Sequence, residues 1–226
     1  MAMPVRAVVF DLDGTLIDNS EYERRNIEML VEEAVKATGS SREEVMRRVR
    51  DYRVFRGTPL WYDWRHFCKF IGAPEDAWIR IHLENVELLK PMPEALDTLK
   101  ALRGRYGLAV VSDALRKVLD IKLEATGISS LIDASVSQEE AGAVKPDPSG
   151  LLIASRMLDV DPAECVFVGN MGDDVEAGLR AGMTTVLYPT GISGHTLIVE
   201  PSEELSVRPH HVISRLGELL ELLGKL

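Results

Sequence analysis

The sequence predicts an α/β fold, a parallel doubly wound sheet interrupted by an all-helical insertion. Two observations carry this. Short, near-continuous apolar runs alternate with amphipathic helical stretches through most of the 226 residues, the pattern of strands covered on both faces by crossover helices. Between residues 19 and 90 the alternation stops and only helix signals remain.

In chain order, "VRAVVF" (5–10) reads as the first strand. Ser20 with Glu23 and Ser41 with Glu44 have the spacing of capping boxes that open helices. "DWRHFCKFIG" and "EDAWIRIHLENVELLK" read as further helices, separated by the break around Gly72 and Pro74. Strands then return at "GLAVVS" (107–112), "DASVS" (133–137), "CVFVG" (165–169) and "TTVLY" (184–188). Between them "PEALDTLKALRG", "ALRKVLDIKLEATG", "PSGLLIASRMLD" and "DDVEAGLRAG" show helical periodicity. Gly104, Gly127 and Gly182 stand where helix C-termini are expected. The tail from Thr190 to Pro209 reads as loop-rich with one short strand, ahead of a closing helix "HVISRLGELLELL". The expected organisation is a core of residues 1–18 and 91–226 around an insertion at 19–90.

A formal net charge of -10 argues against a general binder of nucleic acid or anionic membrane. No apolar run reaches membrane-spanning length, and the N-terminus enters a strand pattern too soon for a signal peptide. Cys68 and Cys165 have no ligand or disulfide spacing, as in a reduced, cytoplasmic protein. A monomer or small homo-oligomer acting on a small molecule is the expected state.

Doubly wound sheets bind ligands at the carboxyl ends of their strands, so the residues that end each strand matter most. They are Asp11 and Asp13, then Ser112 and Asp113, then Gly169 and Asn170 running on to Asp173 and Asp174. Lys145 lies in "VKPDP", ahead of another helix. A carboxylate such as Asp11 can attack phosphorus and form an acyl phosphate that water cleaves. Asp13 can protonate the leaving oxygen and then activate the water, its acidity tuned by the neighbouring charge. Gly14 lets the backbone turn close to a phosphate, whose oxygens exposed N–H groups can cradle. Thr15 and Ser112 add hydroxyl donors, and Lys145 a positive charge. A magnesium ion would remove the repulsion between the carboxylates and a phosphate. Each residue also has an ordinary reading. Asp-Gly is a common turn pair, and Asp173 and Asp174 suit the first turn of a helix.

In the insertion, "DYRVFRGTPLWYDWRHF" sets Arg53 and Arg56 on either side of a turn that could bind a substrate anion. Its aromatic residues read as packing within the insertion, and His66 as structural.

The ordered set, D-x-D-G-T at 11–15, the strand-ending Ser112, Lys145-Pro146 and the acidic Gly-rich loop at 169–174, resembles the four motifs of the haloacid dehalogenase superfamily. The resemblance covers essentially the whole chain and is to its phosphoglycolate-phosphatase-like members. It implies a Rossmann-like core, a helical cap at 19–90, Mg2+, and hydrolysis of a small phosphorylated metabolite through a phospho-Asp11 intermediate. It further implies Asp11 and Asp13 as catalytic and metal-binding residues, and Thr15, Ser112, Asp113 and Lys145 around the phosphate. Asn170, Asp173 and Asp174 complete the implied metal set.

Two departures stand out. In "GNMGDD" (169–174) Asn170 replaces an expected acid while Asp173 adds one beside Asp174, and Asp113 brings a negative charge next to Ser112. They leave open a phosphotransferase or phosphomutase on the same core, and a weakly active or non-catalytic binding module. A metal-free dehalogenase has no need of a second aspartate, and Asp13 speaks against it.

Overall fold

The computed structural model describes residues 4–192 and 207–226. The chain opens with β1 (Ala7–Phe10) and the two-residue strand β2 (Ile17–Asp18). The helices α1 (Ser20–Thr38), α2 (Arg42–Asp51), α3 (Trp64–Ile71) and α4 (Ala77–Glu84) follow. Then β3 (Lys90–Pro91) leads through α5 (Ala95–Leu102) to β4 (Gly107–Val111), α6 (Arg116–Ala125) and β5 (Ala134–Val136). Next come α7 (Gln138–Ala141), α8 (Ser149–Met157), β6 (Cys165–Gly169), α9 (Gly172–Ala181) and β7 (Thr184–Leu187). The described chain closes with β8 (His211–Val212) and α10 (Glu218–Leu223).

Six strands form one parallel sheet in the order β5-β4-β1-β6-β7-β8. The five longer ones are the apolar runs read from the sequence. Their side chains alternate between two buried layers. Val8, Phe10, Leu108, Val110, Val166 and Val168 face one layer, while Ala7, Val9, Ala109, Val111 and Phe167 face the other. The sheet is thus covered on both sides, which is why β1 carries no polar residue until it ends.

Two readings are corrected, and a third is not tested. His211 and Val212, expected inside the closing helix, instead pair with Val186 and Leu187 as β8, and that helix begins at Glu218. The tail segment 193–206, expected to be loop-rich, lies outside the described residues. Ser20 and Glu23 form no capping box. Asn19 is the N-cap of α1, Ser20 donates its hydroxyl to Asp18 at 2.6 Å, and Glu23 accepts from the Asn19 amide at 2.7 Å. Ser41 does cap α2, accepting from the Glu44 N–H.

The segment between β2 and β3 is helical, and the antiparallel pairing of those strands, Ile17 with Pro91 and Asp18 with Lys90, brings its two ends together. Its interior is aromatic. Tyr52 stacks on Trp61 and meets Phe67 and Phe70 edge-on, while its hydroxyl bonds to Leu60 O and His66 Nδ1. Trp61, Trp64 and His66 therefore have packing roles there, as expected.

His82 on α4 is fully buried between Tyr22 and Trp64, with Nδ1 donating to Trp78 O at 2.7 Å. Burial, aided by the nearby Lys122 and opposed by the bond to Trp78 O, pushes its pKa down to about 3. In the unfolded chain the imidazole titrates near ~6.5, so its contribution to stability is present above that pH and is lost as the pH falls toward 3. Urea titrations between pH 7 and 5.5 should show wild-type stability falling with a slope approaching ~1.4 kcal/mol per pH unit from this residue. His82→Leu should flatten that slope. An unchanged slope would mean that His82 is protonated in the fold.

Candidate active site

In the order β4-β1-β6 three neighbouring strands end on polar residues, so parallel pairing gathers their carboxyl ends at one point. Asp11 follows β1, Ser112 and Asp113 follow β4, and Asn170 follows β6. Lys145 arrives from the loop between α7 and α8.

Asp11 is buried, and both of its oxygens are engaged. Thr15 Oγ1 donates to Oδ2 at 3.0 Å, and the Lys145 ammonium bonds to Oδ1. Lys145 also lies 2.7 Å from Asp174 Oδ1 and 4.0 Å from Asp113 Oδ2, and its own N–H donates to Asp113 Oδ1. One ammonium thus serves three carboxylates. Burial pushes Asp11 up to about 7 against the pull of Lys145, with Asp174 and Asp13 adding repulsion. Burial likewise lifts Asp113 to about 6. Burial opposes the charge on Lys145, yet Asp11, Asp174 and Asp113 hold its pKa well above the ordinary lysine value.

Asp13 is half-buried, with Oδ1 2.6 Å from Lys122 and Oδ2 3.5 Å from Ser112 Oγ. The turn that carries it closes on itself. Gly14 N–H donates to Ile17 O and Thr15 N–H to Leu12 O, so these two groups serve the turn itself. Gly14 has φ +82, and a Cβ there would meet Asn170 Nδ2 at 2.3 Å. The residue must be glycine for the loops after β1 and β6 to approach this closely.

Asn170 donates Nδ2 to Ile192 O at 2.8 Å, which turns Oδ1 toward Thr15 Oγ1, 3.5 Å away. Asp174 folds back over its own helix, where Oδ2 accepts from the N–H groups of Asn170 and Met171. A Cβ at Gly169 would meet Asp174 Cβ at 2.3 Å, so glycine makes room for that fold-back. Asp173 is exposed at the start of α9.

Among the described residues no group of three or more His, Cys, Asp and Glu side chains is arranged to hold a metal ion. Asp11 Oδ2 and Asn170 Oδ1 nevertheless converge on Thr15 Oγ1. A carboxylate and an amide oxygen in a cluster rich in negative charge fit a hard cation that takes its remaining ligands from water and a phosphate.

Two residues escaped the sequence reading. Lys122, the partner of Asp13, lies on the inward face of α6 beside Val118 and Leu119. A lysine in an apolar helical stripe was the available signal. Tyr62, read as packing, does pack against the buried core, and burial together with the charges of Asp113, Asp173 and Asp174 pushes its phenol well above the usual range. Nothing in its local sequence marked its nearness to those charges. Arg53 and Arg56 are exposed, around the end of the 3₁₀ turn Tyr52–Phe55. A separate ion pair, Arg65 on α3 with Glu139 on α7 at 3.2 Å, ties the helical segment to the sheet layer.

A family model described as haloacid dehalogenase-like hydrolase matches residues 5–182. A glyceraldehyde 3-phosphate phosphatase of Methanopyrus kandleri is 34% identical over 238 residues, covering 98% of each chain. A phosphoglycolate phosphatase of Aquifex aeolicus is 31% identical over 218 residues, covering 92% of this chain and 99% of the other. The crystal structure of a HAD phosphatase from Thermococcus onnurineus superimposes with a TM-score of 0.82 at 25% identity, over 97% of this chain and 98% of that one.

Proposed function

The chain belongs to the haloacid dehalogenase-like hydrolases, and from that premise we propose that it hydrolyses a small phosphate monoester through a phospho-aspartate on Asp11. It is a phosphatase of this family. The observation that carries the mechanism is the buried Asp11, paired to Lys145 and bonded to Thr15, with Asp13 two residues on and Ser112 at the adjacent strand end.

Both partners of Asp11 hold its carboxylate in one orientation, so little freedom is lost when it attacks phosphorus. As the Asp11–phosphorus bond forms, the bond to the leaving oxygen breaks and Asp13 gives that oxygen its proton. Asp13 then takes a proton from the water that attacks the phospho-aspartate, which releases inorganic phosphate and frees Asp11. Lys145 and the Ser112 hydroxyl face the charge that develops on the transferring group. Magnesium would be held by Asp11 and Asn170, and when bound it would polarise the phosphoryl group and offset the surrounding carboxylates. The helical segment 19–90 would act as the cap, with Tyr62, Arg53 and Arg56 on the substrate side. Relatives named for glyceraldehyde 3-phosphate and phosphoglycolate favour a small organic phosphate as the substrate. No helix among the described residues is long and apolar enough to cross a membrane.

Phosphate release from 4-nitrophenyl phosphate, followed as magnesium is titrated, tests this reading. Turnover should vanish in excess chelator. Asn170→Asp should lower the half-saturating magnesium concentration, roughly several-fold, because a carboxylate attracts the ion more strongly than an amide. Full turnover in chelator would defeat the metal assignment, and an unmoved midpoint would remove Asn170 from the ligand set.

A further inference from the structure

Helix α6 turns Val118, Leu119 and Lys122 to the interior, three and four residues apart and so on one face. An ammonium on such a face is costly unless it is paired. Lys122 has two partners, Asp13 Oδ1 at 2.6 Å and Glu23 Oε1 at 3.5 Å, and its side chain is 3% exposed. Glu23 comes from α1 and is fixed in turn by the Asn19 amide. Burial opposes the charge on Lys122, but Asp13 and Glu23 outweigh it and hold the ammonium protonated.

The two oxygens of Asp13 are thereby distinguished. Oδ1 is anchored to Lys122, while Oδ2 is left toward Ser112, 3.5 Å from its hydroxyl and on the side of the strand ends. A carboxylate free to rotate would present either oxygen in many orientations, whereas this one presents Oδ2. Because Glu23 shares the ammonium, Lys122 supplies orientation more than uncompensated positive charge.

We propose that Lys122 is the positioning residue for Asp13, holding one oxygen so that the other is aimed at the leaving oxygen of the substrate. The inference rests on the phosphatase reading and extends it to a residue outside the four motifs. Helix α6, Asp13 and α1 are joined by this one side chain, so the proton donor is aligned by the same contact that links the first helix of the segment 19–90 to the sheet layer.

The test is Lys122→Met, which keeps the length of the side chain and removes its charge. It compares kcat/KM for phenyl phosphate and 4-nitrophenyl phosphate, because kcat/KM reports the step in which the ester bond breaks. Phenolate needs protonation as it leaves, and nitrophenolate needs it far less. Misaligning the donor should therefore lower kcat/KM for phenyl phosphate on the order of 10²-fold, with at most a several-fold loss for the nitrophenyl ester and little change in KM. Equal losses on both esters, or wild-type kinetics on both, would overturn the proposal and leave Lys122 a packing residue. If Lys122→Met does not fold by circular dichroism, Lys122→Met/Glu23→Leu removes the buried carboxylate along with its cation and carries the same comparison. Wild-type protein inactive on both esters would instead overturn the phosphatase reading and this inference together, an outcome distinct from an active wild type with no leaving-group effect in the variant.

Discussion

Asp11→Asn should abolish phosphate release, a fall of roughly 10⁴–10⁶-fold, since removing a nucleophile leaves only binding and electrostatic assistance. It should leave the fold intact. An amide of the same size can still accept from Lys145 through its oxygen and face the Thr15 hydroxyl with its nitrogen, the two contacts Asp11 makes now. Stability should change with pH in a defined sense. The folded-state pKa of Asp11 is raised from 3.8 to about 7, chiefly by burial. Its contribution to stability is therefore present below about 4 and is lost as the pH rises through 7. The asparagine variant escapes that loss. In excess chelator its melting temperature should exceed that of the wild type at pH 8, by a margin that shrinks toward pH 5. Retained turnover would end the nucleophile assignment. A variant less stable than the wild type at pH 8 would show that pairing with Lys145 outweighs burial.

How far the sequence was legible depends on how local the cause of each feature is. β1, β4 and β6 were readable because burial on both faces demands unbroken apolar runs such as Ala7 to Phe10. Strands β2 and β3 were not, because two residues hold no period, and their pairing follows from closing the chain around the helical segment. His211 and Val212 fit a helical pattern, yet the open edge of β7 offered backbone partners that decided otherwise. Within the site, Asp11, Ser112 and Lys145 announced themselves as polar residues at the ends of apolar runs or in the loops beyond them. Asp174 was legible as an acid but not in its use, since only the fold shows both its oxygens turned to its own helix and to Lys145. Lys122 and Tyr62 depend on how α6 and the 3₁₀ turn Pro59–Tyr62 dock, which no single stretch of sequence encodes.

Lys145→Met should be the most damaging single change to the molecule as a whole, because it acts on stability and chemistry together. The ammonium touches Asp11 and Asp174 and lies 4.0 Å from Asp113. It is 7% exposed, and the side chains of Asp11 and Asp174 are as deeply buried. Removing one partner from a buried ionic cluster costs about 3–5 kcal/mol, since the charges left behind have neither water nor a counter-ion. Turnover should fall at least ~10²–10³-fold beyond any loss of folded protein, as the transferring phosphoryl group loses a fixed positive charge. The two effects can be separated. In Lys145→Met/Asp174→Asn one of the stranded carboxylates becomes neutral while its oxygen can still accept from the Asn170 and Met171 N–H groups. Urea titration at pH 7.5 should show part of the lost stability restored, and phosphate release per folded molecule should stay as low as in the single variant. Recovery of turnover along with stability would mean that Lys145 acts on the reaction only by keeping the carboxylates folded in place.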